Sequence, residues 1–240
     1  MSLAVVYSRA QLGINAPLVT VEVHLSMGLP GFSIVGLPEA AVREAKDRVR
    51  SAIINSHFDF PAQKITVNLA PADLPKEGGR YDLAIAIGIL AASEQINKQS
   101  CDQFEFLGEL ALSGEVRSIP GVLPGLVAAN QQQRPLFLPA QNKHEAEIAP
   151  AAQGFAISHL QQACNGLTQL DALQPLEQND RPVQTQHHLK LSDVQGQLAA
   201  KRALIVAASG KHNLLFFGPP GTGKTMLAKR LPALLPPLSA

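Results

Sequence analysis

Apolar positions along the chain recur every second residue in some stretches and every third or fourth in others, which separates candidate strands from candidate helices. Leu18–His24 (LVTVEVH) is β-branched and predicts a strand. Phe32–Val35 predicts a second, with Met27-Gly-Leu-Pro-Gly31 as the turn between them. Pro38 then opens a helix, because its fixed φ suits the first helical position. Ala41, Val42, Ala45, Val49, Ala52 and Ile53 share one face of that helix, and Arg43, Glu44, Lys46, Asp47 and Arg50 fall mostly on the other, solvated one. Lys64–Leu69 (KITVNL) is a further strand, followed by a polar glycine-containing loop, Pro75–Arg80. The run from Tyr81 is too uniformly apolar for periodicity to decide, but its length and its alanines favour a buried helix. Phe104–Leu112 and Leu136–Leu138 predict strands, and Leu123–Asn130 a helix. The pattern is that of an α/β domain, helices on a sheet.

The pattern then lapses. Residues 171–190, DALQPLEQNDRPVQTQHHLK, are polar, Pro-containing and rich in Gln, and read as a linker between a domain over 1–170 and a second over 191–240. Hydrophobic residues make up 46% of the chain, which excludes disorder over its whole length. The formal net charge of +1 gives no global argument for nucleic acid or membrane, and an aromatic content of 5% without Trp speaks against base stacking along the whole surface. Cys101 and Cys164 have no CxxC spacing and read as buried thiols in a reducing compartment. His187 and His188 are adjacent in the linker, poor geometry for a chelate, and read as a solvated pair. The N-terminus lacks a basic and apolar leader pattern. The longest apolar run, Leu83–Ala92, is broken by Gly88 and falls short of the roughly 20 residues a membrane span needs. A cytoplasmic protein with no membrane partner is expected.

The segment with explicit chemistry is GPPGTGKT, Gly218–Thr225, which meets the G-x-x-x-x-G-K-[ST] pattern of a phosphate-binding P-loop. Gly218, Gly221 and Gly223 allow the backbone to curl so that successive N–H groups face phosphate oxygens. Pro219, Pro220 and Thr222 complete the loop. Lys224 is the point charge for the β- and γ-phosphates, and the Thr225 hydroxyl suits Mg²⁺ held through the nucleotide. Asn213–Phe217 reads as a strand entering the loop. Met226, Leu227, Leu231, Leu234 and Leu235 continue a helical pattern that Pro232 must kink or end. ATP and Mg²⁺ are the expected cofactors.

Asp193 is the last acidic residue, so no carboxylate follows the P-loop to hold a Mg²⁺ shell or orient water. One strand and one helix cannot bury a nucleotide domain's core. The expectation is a chain that stops inside its ATPase domain, without hydrolytic residues, and that binds ATP weakly by itself. Asp193-Val-Gln-Gly-Gln197, before the helical stretch Leu198–Ala208, resembles the start of an AAA+ module. That resemblance implies that Val194, Gly196 and Gln197 flank the adenine, while Asp193 suits a helix cap.

The longer segments are similar to a known family. Ser192–Leu235 resembles the magnesium-chelatase-like branch of AAA+ ATPases. GLPGFSIVGLPEAAVREAKDRVRSAIINS and ITVNLAPADLPKEGGRYDLAIAIGILAAS closely resemble the ComM/YifB competence-associated proteins, and the resemblance covers nearly the whole chain. It implies an α+β N-terminal domain of ribosomal-protein-S5-like, Lon-protease-like fold over 1–170. It implies the start of a P-loop AAA+ α/β domain over 191–240, and a homo-hexamer when complete. The implied function is ATP-driven remodelling of single-stranded or branched DNA, with helicase-like branch migration in natural transformation and recombination. A chelatase-type motor acting on a protein or metal-insertion partner is the alternative. A Lon-like peptidase needs a Ser–Lys dyad. Where the Lon pattern carries its serine after P-K-[DE]-G-x, this chain has Arg80, and where it carries its lysine, after Gly108–Gly121, Val122-Leu123-Pro124-Gly125 contains none. Ser113 and Ser118 read as turn hydroxyls. Lys76 and Arg80 read either as a solvated loop or as charges presented to DNA phosphates.

Overall fold

Valine-rich alternation builds the first sheet. In β2 (Leu18–Ser26), Val19, Val21, Val23 and Leu25 point inward and the residues between them are half-buried, as a period of two requires. β1 (Ser2–Arg9) and β4 (Lys64–Ala70) pair with β2 on either side, both antiparallel. β3 (Gly31–Val35) adds to β4 in parallel. On the other flank β5 (Glu105–Phe106), β8 (Leu136–Pro139) and β9 (Gly154–Ile157) follow β1 in parallel, so the order is β3-β4-β2-β1-β5-β8-β9. This computed structural model describes residues 2–36, 40–76, 78–149, 153–169, 173–177 and 189–235, the side chains of 40–43 excepted. The chain divides into two units, 1–179 and 180–240.

The α/β expectation holds for the first unit. α1 (Ala40–Asn55) buries Ala45, Val49, Ala52 and Ile53. α2 (Asp82–Ala92) is buried at every position, which explains why its sequence carries no polar stripe. It packs on β1, β2 and α1. Gly88 is what lets it approach: a Cβ there would sit 2.6 Å from the Val23 Cγ2. Asp82, at the start of α2, receives Arg48 from α1 (Nε–Oδ2 2.7 Å, Nη2–Oδ1 3.2 Å) and the Leu110 amide (3.3 Å). Burial pushes its carboxyl up to about 6, against the pull of Arg48. The remaining helices are α3 (Lys98–Cys101), α4 (Val122–Gln131), α5 (Lys143–Ala146) and α6 (Leu160–Thr168). Cys101 and Cys164 are buried free thiols, both pushed up to about 12 chiefly by burial.

Met27–Gly31 turns the chain from β2 to β3 as expected, but the two strands are not paired, because β4 lies between them. Other expectations change. The predicted strand Phe104–Leu112 breaks after Phe106. Gly108 donates its N–H to the Arg80 carbonyl and accepts from the Leu83 amide (both 3.1 Å), tying the start of α2 instead of extending the sheet. β6 (Glu109–Leu110) then pairs with β7 (Val116–Arg117) in a separate two-stranded ribbon. Within the segment read as a linker, Leu173 and Leu176 are buried in the first unit and Pro175 bridges to Phe155. Pro38, Glu77 and the His187–His188 pair lie outside the described residues, as do the side chains of Ala41, Val42 and Arg43.

The second unit has α7 (Leu198–Gly210) and α8 (Lys224–Ala228) around a small cluster of Val194, Leu204 and Leu227. Asn213–Phe217 forms no strand among the described residues. A strand needs a ladder partner, and Leu215 and Phe217 are 86% and 99% exposed. The helix after the P-loop is also shorter than its apolar pattern. Pro232 has no N–H for the Ala228 carbonyl and its ring crowds that carbonyl, so α8 ends at Ala228 and a 3-10 turn, Pro232–Leu234, follows. No helix among the described residues is long and apolar enough to cross a membrane.

Candidate functional site

The loop Gly218–Thr225 is shaped by its glycines. Gly221 and Gly223 have φ of 81° and 82°, and nothing lies within 4 Å of where a Cβ on Gly221 would stand. Side chains at either position would be strained in this left-handed region. Gly223 is also the residue from which α8 starts, and no side chain caps it. Thr222 closes the loop on itself, its hydroxyl donating to the Pro219 carbonyl at 3.0 Å. Lys224 folds back over the loop, its Nζ donating to the carbonyls of Gly218 (2.8 Å) and Pro219 (2.6 Å). Pro220 and Thr225 are exposed.

The charge chemistry of this loop suits an anion. It offers the Lys224 ammonium, the Thr222 and Thr225 hydroxyls and the first-turn amides of α8, and neither the loop nor α8 contains an Asp or Glu. A nucleotide triphosphate therefore fits the groups present. Lys224 and the loop amides would hold its phosphates, and Thr225 would reach a nucleotide-bound Mg²⁺. Among the described residues no cluster of three His, Cys, Asp or Glu could hold a metal ion without such a ligand.

The residues named beside the loop take distinct places. Val194 is buried in the small cluster with Leu204 and Leu227, and its carbonyl accepts from the Lys201 ammonium. Gly196 sits at φ 67°. Gln197 reaches the P-loop, its Nε2 donating to the Thr222 carbonyl at 3.3 Å. Asp193 does not cap α7. Its carboxylate accepts from the Lys190 amide (2.9 Å) and caps the preceding 3-10 turn, Leu191–Asp193. Sequence reasoning missed Arg230, which is buried and donates to the Lys190 carbonyl (2.9 Å) and the Met226 carbonyl (2.7 Å). A basic residue within a leucine-rich stretch was its one signal.

In the first unit a cleft of about 540 Å³ is lined by Gln11, Gly79, Arg80, Glu109, Ser118 and Pro120, among others. Arg80 and Lys76 are not the solvated or DNA-facing charges that the loop's polarity suggested. Arg80 is 6% exposed and donates to the Pro120 carbonyl (3.0 Å) and to Gln11 (3.4 Å). Lys76 is fully buried, and its ammonium caps the carbonyls of Pro71 and Leu74 (the latter at 3.1 Å). Burial holds it below the usual lysine range. Both side chains are turned into their own fold, Lys76 onto backbone carbonyls and Arg80 onto the Pro120 carbonyl and Gln11. Ser113 accepts from the Glu115 amide (3.4 Å), a turn hydroxyl.

With this geometry in hand, comparisons with known proteins give consistent matches. Residues 21–142 match the family described as subunit ChlI of Mg-chelatase, and residues 190–240 match magnesium chelatase, subunit ChlI. The chain is 54% identical over 243 residues to the competence protein ComM of Haemophilus influenzae (strain Rd). It is 52% identical over 239 residues to the uncharacterized protein YifB of Escherichia coli (strain K12), and 53% over 241 residues to that of Salmonella typhimurium (strain LT2). Each alignment takes in all of this chain but 47–48% of the relative, so the chain spans about half the length of the curated relatives it matches.

Proposed function

Because the chain belongs to the ComM/YifB family of magnesium-chelatase-like proteins, we propose that it is an ATP-binding AAA+ protein whose full-length form remodels DNA. In this reading residues 1–170 form a Lon-like, S5-like domain without a peptidase dyad, 171–190 a linker, and 191–240 the start of the ATPase domain. The full-length protein assembles as a homo-hexamer and drives branch migration in transformation and recombination. The observation that carries the reading is the Gly218–Thr225 loop, with its left-handed glycines and with Lys224 folded over it. Bound Mg·ATP supplies the phosphoryl group whose hydrolysis powers the motor. This chain's own contribution is to bind and orient the triphosphate.

Charge distribution supports a polyanionic partner. Residues 180–240 carry eight Lys and Arg against two Asp, whereas residues 1–179 carry twelve against seventeen acids. The near-neutral whole chain conceals a basic second unit, which attracts phosphate. The name of the relative ComM, a competence protein, points the same way. The test is ATP hydrolysis by the full-length protein with and without single-stranded or branched DNA. DNA should stimulate turnover, and Lys224→Ala should abolish it. ATP hydrolysis that shows neither DNA binding nor stimulation would sink the DNA part of the proposal. A second reading, a chelatase-type motor, is favoured by the description of both matched families. Its mark would be turnover stimulated by a metal-insertion subunit and indifferent to DNA.

A further inference from the structure

The segment from Lys190 to Gln197 is tied to the P-loop region at both ends. At one end the Lys190 carbonyl accepts from the Arg230 Nε (2.9 Å), while the Lys190 amide is taken by Asp193 (2.9 Å). The same guanidinium donates to the Met226 carbonyl, so it bridges α8 and the start of the segment. At the other end the Gln197 amide donates to Thr222, inside the P-loop itself. Between the ties, Val194 packs on Leu204 and Leu227, and Lys201 holds its carbonyl.

Arg230 is an expensive way to fill space. It is 9% exposed, it sits beside Leu227 and Leu231, and its partners are backbone carbonyls. Taking a guanidinium out of water costs more than burying an apolar side chain of similar size. What the cation supplies that a leucine does not is a fixed distance between two pieces of backbone. Gln197 does the same across the gap to Thr222. Its left-handed backbone (φ 52°) aims the side chain back over the loop, while its carbonyl accepts from Lys201 in the first turn of α7.

We propose that Gln197 and Arg230 are positioning residues that hold the base-flanking segment in place against the phosphate loop before any nucleotide arrives. This rests on the nucleotide reading above. A ligand that spans both elements gains from that preorganisation, because the ordering cost is met in advance. A ligand that touches only the loop gains nothing. Adenosine triphosphate and inorganic tripolyphosphate are such a pair.

The experiment is calorimetric titration of the full-length protein with ATP and with tripolyphosphate, both with Mg²⁺. Gln197→Met keeps the length of the side chain and removes the donor. It should weaken ATP about five-fold, the loss of one neutral hydrogen bond, and leave tripolyphosphate within about two-fold. Arg230→Ala should weaken ATP more, about ten-fold or beyond, with Arg230→Lys recovering part of it by keeping one charged donor. Should Arg230→Ala fail to fold, the exposed Gln197 still decides the matter. Equal losses for the two ligands, or no loss for either, would overturn the proposal. Lys224→Ala separates this from the reading beneath it. If that variant binds ATP as well as the unaltered protein does, the nucleotide site itself is wrong.

Discussion

The two units of this chain are held together differently. In residues 1–179 a continuous apolar core organises the fold, although Ile14, Met27 and Leu29 stand in solvent: α2 is buried along its whole length, and one cluster runs from β1 to α6. Among the described residues of 180–240, Leu198, Leu215 and Phe217 are at least 80% exposed, and a small buried cluster of Val194, Leu204 and Leu227 stands in for a core. What orders the second unit is a set of cations and amides on carbonyls: Lys201 on Val194, Lys224 on Gly218 and Pro219, Arg230 on Lys190 and Met226, Gln197 on Thr222. Water competes with such bonds, of which a neutral one contributes roughly 1 kcal/mol and a charged one about 1.5–3 kcal/mol, and they are few, while in the first unit many large aliphatic side chains are buried at about 2 kcal/mol or more each. The first unit should therefore be robust without a ligand. The second should depend on what binds it.

The comparison breaks first, if it breaks, in α2. Ile87→Ala should cost about 2–5 kcal/mol in chemical denaturation followed by far-ultraviolet circular dichroism. A smaller loss would mean that α2 is less well packed than its burial indicates. Next comes Asp82. Its carboxyl is raised to about 6 in the folded state, so the folded form holds the proton more tightly than the unfolded one. Its contribution to stability is then full below about pH 4 and lost as pH rises through 6, a change of about 3 kcal/mol. Comparing the stability of wild type and Asp82→Asn from pH 4 to 7 should show the slope flattened in the variant. An unchanged slope would assign it to other groups.

Lys76→Ala should cost about 1–3 kcal/mol by leaving the Pro71 and Leu74 carbonyls without their donor, and no more than a few tenths if the lysine were on the surface. The smallest effect sharpens the contrast. Leu215→Ala, in the 240-residue chain, should change thermal stability by less than about 0.5 kcal/mol, because its side chain is already in water. A large loss there would show the second unit to be organised by burial after all.

Much of the first unit was legible because burial writes itself into period. LVTVEVH, KITVNL and the run from Tyr81 each became the element their pattern indicated. β1, β9 and α6 were not read in advance. β9 is short, and its place depends on a parallel partner, β8, that local pattern does not name. The break at Gly108 was invisible for a related reason. Its hydrogen bonds go to Arg80 and Leu83, more than twenty residues away.

The P-loop was the opposite case. Its glycines, lysine and threonine could be named from spacing alone, since a tight turn with φ of 81° and 82° at two positions strongly favours glycine whatever surrounds it. The charges around it could not be placed that way. A lysine or arginine reads the same in sequence whether it meets solvent, a phosphate or a carbonyl, and only the fold put Lys76 and Arg80 inside and gave Arg230 to Lys190. By itself the sequence determined the elements whose side chains repeat in step with the backbone, and the loop whose left-handed turns favour glycine at Gly221 and Gly223. The tertiary structure alone decided where each long charged side chain ends, because its many rotamers are settled by partners distant in the chain.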